Sequence, residues 1–75
     1  MDYSDYLSQR ILQLRKERGR GLNQKELGDA VGLSHKAIST IESGTRSTTI
    51  EKLVALARFF GVSTDFLLGL SESRT

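Results

Sequence analysis

The residues best suited to chemistry lie together in the run SHKAIST at 34–40, where Ser34, His35, Lys36, Ser39 and Thr40 carry hydrogen-bonding side chains of modest length. Lysine suits guanine O6 and N7, and serine or threonine suits several partners, so such residues on a projecting helix have the chemistry to read base edges in a DNA major groove. A surface helix of any soluble protein also shows a polar outer face, and the run by itself leaves both readings open. His35 is the only histidine and cysteine is absent, so no metal site is expected and no thiolate nucleophile is available. Carboxylates are scattered and no serine or threonine has a base at motif spacing. No catalytic residue, cofactor or small-molecule substrate is therefore expected, and the chain reads as a non-enzyme.

Two short helical patterns meeting at Gly32 would position this run. Asn23 opens the earlier one, with Glu26 three residues on completing a capping box, and Leu27, Ala30 and Val31 are expected on its buried face. Gly32 allows the backbone to turn with positive φ at no steric cost. Ser34 caps the later pattern, which runs to about Ser43 with Ile38 and Ile41 inward and Leu33 filling the corner. With the apolar residues committed to the core, the polar ones are left outward.

Proline is absent, so helix is favoured wherever apolar residues recur every three or four positions. That periodicity predicts a first helix from about Asp5 to Arg18, with Leu7, Ile11 and Leu14 as its stripe and Gly19 as its stop. A fourth helix is expected to open on the pair Thr48 and Glu51 and to bury Ile50, Leu53, Leu56, Ala57 and Phe60. Ser63 caps a short fifth segment with Val62, Phe66 and Leu67 over the base of the core, before a polar tail at 70–75 expected to fray. The expectation is an all-α, compact five-helix bundle forming one domain over 1–75, since two independent cores need roughly 100 residues.

Net charge is only +2, but residues 10–20 hold Arg10, Arg15, Lys16, Arg18 and Arg20 against Glu17 alone. Phosphate attraction would come from this cluster with Lys25, Lys36 and Arg46; a solvated basic helix end is the plainer alternative. No apolar run approaches the roughly 18 residues of a membrane span and no secretory signal is recognised, so a cytoplasmic protein with no membrane partner is expected. Tyr3 and Tyr6 either pack the first turn against the bundle or serve a subunit contact.

The run from Leu14 to Gly19, LNQKEL at 22–27, VGLS at 31–34, Ile38, IESG at 41–44, then Leu53, Ala57, GVS at 61–63 and Asp65 to Gly69, resembles the lambda-repressor-like (Cro/CI or XRE-type) helix-turn-helix family over 7–69. The resemblance implies a five-helix bundle with the helix-turn-helix at 24–43 and the third helix as recognition helix. It implies a DNA-binding transcription regulator that commonly works as a dimer on operator DNA. Carried over residue by residue, it makes His35, Lys36 and Thr40 the base-reading residues with Ser34 and Ser39 at their edge. Gln24, at a helix start with Asn23 and Lys25, would meet a phosphate, and the helix N-terminus favours an anion there. Thr45, Arg46 and Ser47 match the loop that grips the DNA backbone. Glu42 would pair with Arg15 to orient the helices, an exposed pair worth about 0 to 1 kcal/mol.

The loop Gly19-Arg20-Gly21 is longer than the single glycine usual in the family; it either places Arg20 near phosphate or serves as a plain connection. Gly28 stands where alanine is more usual, keeping close helix contact at a cost of about 1 kcal/mol of helix propensity. Phe59, Phe66, Leu67, Leu68 and Leu70 exceed what the small core obviously needs, and some are expected in a homodimer contact. No room is expected for a ligand-sensing domain, leaving control to concentration, a regulatory protein partner or competition for operators. The rival from another class is a protein-interaction module on the same fold that does not bind DNA.

Overall fold

Each helix begins where a short polar side chain satisfies amide N–H groups that the first turn leaves free. A computed structural model describes residues 2–19 and 22–75. In it Asp2 caps α1 (Tyr3–Glu17), Asn23 caps α2 (Gln24–Val31), Ser34 caps α3 (His35–Glu42), Thr49 caps α4 (Ile50–Phe60) and Ser63 caps α5 (Thr64–Leu67). The expected capping box of α2 is present: the Glu26 N–H donates to Asn23 Oδ1 at 2.8 Å, and the Asn23 N–H donates to Glu26 Oε1 at 3.0 Å. Gly32 ends α2 in the left-handed region at φ 79°, as the turn demands.

One core unites the helices. Its five largest fully buried side chains are Ile11, Leu27, Ile38, Leu56 and Leu67, one from each helix in chain order. Burying a side chain of that size stabilises the fold by about 1.5 to 3 kcal/mol, so no helix can be removed without opening the centre. Phe66 and Leu67 belong to this core, and Phe59 packs against it, so of the apolar residues expected to exceed its needs only Leu70 stands well out, at 59% exposure.

Two expectations about helix faces are corrected. Ala30 is exposed, and Gly28 takes the buried place on α2. The cause is the sharp turn: the Leu33 N–H donates to the Gly28 carbonyl at 2.8 Å, and the Leu33 carbonyl oxygen sits where a Cβ on residue 28 would have to be. Thr49, not Thr48, caps α4, its Oγ1 accepting from the Lys52 N–H at 3.2 Å. Ile50, in the first turn, is 80% exposed. At 3.6 residues per turn it lies about 70° from the centre of the stripe formed by Leu53, Leu56, Ala57 and Phe60.

The carboxy-terminal residues are held against the bundle instead of fraying. The Ser63 N–H donates to the Arg74 carbonyl at 2.7 Å, and the Arg74 guanidinium grips both oxygens of Glu17 at 2.7 and 2.8 Å. Those bonds, with help from the Gln13 amide, hold the Glu17 carboxyl down to about 2 from the usual 4.5. The guanidinium carbons of Arg10 and Arg74 both lie over the Phe66 ring, 4.1 and 5.4 Å from its centroid. Tyr6 packs its ring against Gly69, whereas Tyr3 is exposed. Arg20 and the loop reading built on it lie outside the described residues.

Candidate nucleic-acid interface

A helix that carries its apolar side chains at Ile38 and Ile41 must turn the intervening positions elsewhere. Both isoleucines are buried, while Ser34, His35 and Lys36 are exposed and Ser39 and Thr40 half-exposed, so α3 shows a polar surface. Ser34, Lys36 and Thr40 line an open depression of about 310 Å³ together with Ala37 and, from the following loop, Thr45 and Arg46. Asn23, Gln24, Lys25 and His35 line a second depression with Arg15 at the start of α2. The fold thus gathers most of the expected base-reading and phosphate-contacting residues into two hollows, one at the start of α2 and one along α3 and the loop after it. Ser39 lines neither, and Ser47 lines a third hollow with Arg46 and Lys52.

Several of these groups are partly committed. Ser34 Oγ accepts from the Ala37 N–H at 3.0 Å, which uses one lone pair and leaves its O–H free to donate and one lone pair to accept. Asn23 Oδ1 is held by the α2 capping box. Thr40 Oγ1 donates to the Ala37 carbonyl at 2.9 Å and can only accept from outside. Lys25 pairs with Asp29 at 3.1 Å in an exposed i,i+4 bridge. The Thr45 and Ser43 hydroxyls bond each other at 2.7 Å, and the Thr45 and Arg46 N–H groups both donate to the Thr40 carbonyl, which fastens the loop to the end of α3. The side chains of Lys36 and Arg46 are exposed and bond no other described residue, leaving two uncommitted cations at one hollow.

Three arginines of the basic cluster of α1 are committed within the fold, whereas Lys16 is exposed. Arg10 donates to the Phe66 and Ser71 carbonyls, and Arg18 donates to the Phe59 carbonyl at 3.0 Å while lying over the Phe59 and Phe60 rings. Arg15 reaches Glu42, its Nε donating to Oε2 at 2.7 Å and Nη2 to Oε1 at 3.0 Å. The expected orienting pair therefore exists, but it is not exposed: the side chains of Arg15 and Glu42 are only 15% and 5% accessible. This two-pronged bond raises the Arg15 pKa above its already high ordinary value. It also supplies the neutralising cation that a carboxylate close to the interface requires.

Gln24 joins this buried pair to the surface. Its Nε2 donates to Glu42 Oε1 at 3.0 Å, and its Oε1 lies 2.9 Å from His35 Nε2. The second N–H of that amide remains for an outside acceptor. Ser8 Oγ donates to the Glu42 carbonyl at 2.6 Å, so α1 fixes both the backbone and the side chain at the end of α3. Sequence reasoning passed over Ala37, whose methyl sits between Lys36 and Thr40, and Lys52, whose Nζ donates to the Val31 carbonyl at 3.2 Å and closes the end of α2. Ala37 was legible from its position inside SHKAIST; Lys52 comes from a different helix and carried no local signal.

A helix-turn-helix family model matches residues 11–67. The chain is 34% identical over 64 residues to the uncharacterized HTH-type transcriptional regulator YobD of Bacillus subtilis, covering 85% of this chain and 55% of that protein. It is 36% identical over 66 residues to the cryptic phage CTXphi transcriptional repressor RstR of Vibrio cholerae, covering 88% of this chain and 58% of that protein. The chain thus spans a little over half the length of these two relatives. It also superimposes with a TM-score of 0.76 on the P22 c2 repressor in a crystal structure with synthetic operator 9T and Tl+, at 35% identity, covering 83% of this chain and 91% of that one.

Proposed function

The chain belongs to the lambda-repressor-like helix-turn-helix family, and from that membership we propose that it is a sequence-specific DNA-binding transcriptional regulator, a repressor acting on operator DNA in the cytoplasm. Residues 1–75 form a single domain whose DNA-binding part is 7–69, with its helix-turn-helix at 24–43. Ser34, His35, Lys36, Ser39 and Thr40 read bases; Asn23, Gln24, Lys25, Thr45, Arg46 and Ser47 contact phosphates; the Arg15–Glu42 pair orients α1 and α3. The observation that carries this reading is the hollow along α3 and the loop after it, where hydrogen-bonding groups meet the uncommitted Lys36 and Arg46. The names of the relatives and the operator-bound state of the P22 c2 repressor support it.

We propose further that two copies share a palindromic operator, a reading the size of one copy supports. The longest dimension of the molecule is 27 Å, shorter than the roughly 34 Å between successive major-groove faces on one side of DNA. In this reading one copy covers one half-site and a two-fold pair covers both.

Titration of random and selected duplexes across salt concentrations tests the reading. Affinity is expected to fall steeply with salt; Arg46→Ala is expected to weaken binding to every duplex and to flatten the logarithmic salt slope by about one, whereas Lys36→Ala is expected to lower affinity and relax the base preference at the position it contacts. Salt-independent binding, or none, would favour the protein-interaction module. Selection from random DNA yields a palindrome if the pair is correct.

A further inference from the structure

The buried end of the polar relay determines the chemistry of its exposed end. Glu42 presents carboxylate oxygens that only accept, so the Gln24 atom 3.0 Å from Oε1 must be its NH2. That orientation turns the Gln24 carbonyl oxygen toward His35 Nε2, 2.9 Å away. An amide oxygen also only accepts, and His35 Nε2 must therefore carry the hydrogen. In a neutral imidazole the other nitrogen, Nδ1, is then a bare acceptor. Nδ1 bonds no described residue, and His35 is exposed at the hollow it shares with Gln24 and Lys25.

Resting on the DNA-binding reading above, we infer that His35 is a specificity-determining acceptor: its Nδ1 takes a hydrogen bond from an exocyclic amino group, adenine N6 or cytosine N4, and disfavours guanine or thymine at that place on the contacted strand. In the major groove these amino groups are donors, whereas guanine O6 and N7 and thymine O4 are acceptors, and two acceptors face to face repel. Residue type alone does not decide this, because a histidine with the opposite tautomer would donate from Nδ1 and prefer the opposite bases. Arg15 and Glu42, on α1 and at the end of α3, make the choice through Gln24.

Two measurements test it. In the free protein, long-range proton–nitrogen correlation spectra in alkaline buffer, where imidazoles are neutral, report directly which ring nitrogen is protonated. His35 is the only histidine, so its signals need no assignment. A single Nε2–H tautomer is expected, with Gln24→Ala moving both nitrogen shifts toward those of free histidine. A protonated Nδ1, or wild-type shifts equal to those of free histidine, overturns the inference.

The second uses the selected operator. Sites chosen by wild type and His35→Ala are compared to find the base that depends on His35. That base is then replaced by its analogue lacking the amino group, purine for adenine or pyrimidin-2-one for cytosine. Wild-type affinity is expected to fall about five- to tenfold, the scale of one neutral hydrogen bond, and His35→Ala affinity to stay unchanged. A guanine or thymine preference with intact duplex binding overturns this inference alone; loss of all duplex binding overturns the DNA-binding reading with it.

Discussion

Replacing Glu42 with alanine tests the central structural claim, that the carboxylate is a buried anchor and not a surface charge. The substitution leaves the Arg15 guanidinium mostly enclosed, with one remaining bond, Nη1 to the Leu22 carbonyl at 3.4 Å, and removes the acceptor of the Gln24 amide. Deleting one member of a buried ion pair costs about 3 to 5 kcal/mol, against about 0 to 1 for an exposed pair. With Glu42 5% and Arg15 15% accessible the pair stands near the buried limit, and the remaining access at Arg15 lets water recover part of the loss. We expect a loss of about 2 to 3 kcal/mol. A domain this small unfolds in urea with a slope near the low end of the range, about 1 kcal/mol per molar, so the midpoint should drop by about 2 to 3 M, with helix content followed by circular dichroism. Arg15→Met combined with Glu42→Leu exchanges the pair for apolar contact and should restore most of the loss. A Glu42→Ala loss below about 0.5 kcal/mol, or a double variant as unstable as the sum of its parts, would refute the reasoning.

Gly28→Ala should lower the melting temperature even though alanine is the better helix former by about 1 kcal/mol, because the new Cβ meets the Leu33 carbonyl; a net loss of about 1 to 2 kcal/mol is expected, and a raised melting temperature would count against the tight turn. Ile50→Ser should change stability by less than about 0.5 kcal/mol, whereas Leu56→Ala should cost about 2 to 5 kcal/mol, and comparable losses in thermal melts would mean that α4 is rotated. Glu17, its folded pKa lowered to about 2 from 4.5, contributes stability that is complete above 4.5 and is lost as pH falls through about 2. Protection of the Ser63 amide, bonded to the Arg74 carbonyl, measured relative to its intrinsic exchange rate at each pH, should fall across that window in the wild type and be already low at neutral pH in Glu17→Gln. Unchanged protection would show that the clasp does not hold the tail.

Five helices, most of their caps, and the apolar stripes of α1 and α3 were legible in the order of residues, because caps and stripes are decided within one or two turns. That order also determined which residues of α3 could face outward, since Ile38 and Ile41 left only one side for the others. Its errors have the same origin. One residue of uncertainty in the cap of α4 put Ile50 inside, and the buried face of α2 was misplaced because the approach of Leu33 to Gly28 depends on the angle of the turn. The burial of Glu42 came from the packing of the helices, since its partners Arg15 and Gln24 come from 27 and 18 residues away. That packing likewise assigned Arg10 and Arg18 to internal carbonyls and aromatic rings, and left Lys36 and Arg46 as uncommitted cations at one hollow. Local rules act over one or two helical turns, whereas whether a charge finds a partner or water depends on which helices converge around it, and that is settled only when the core closes.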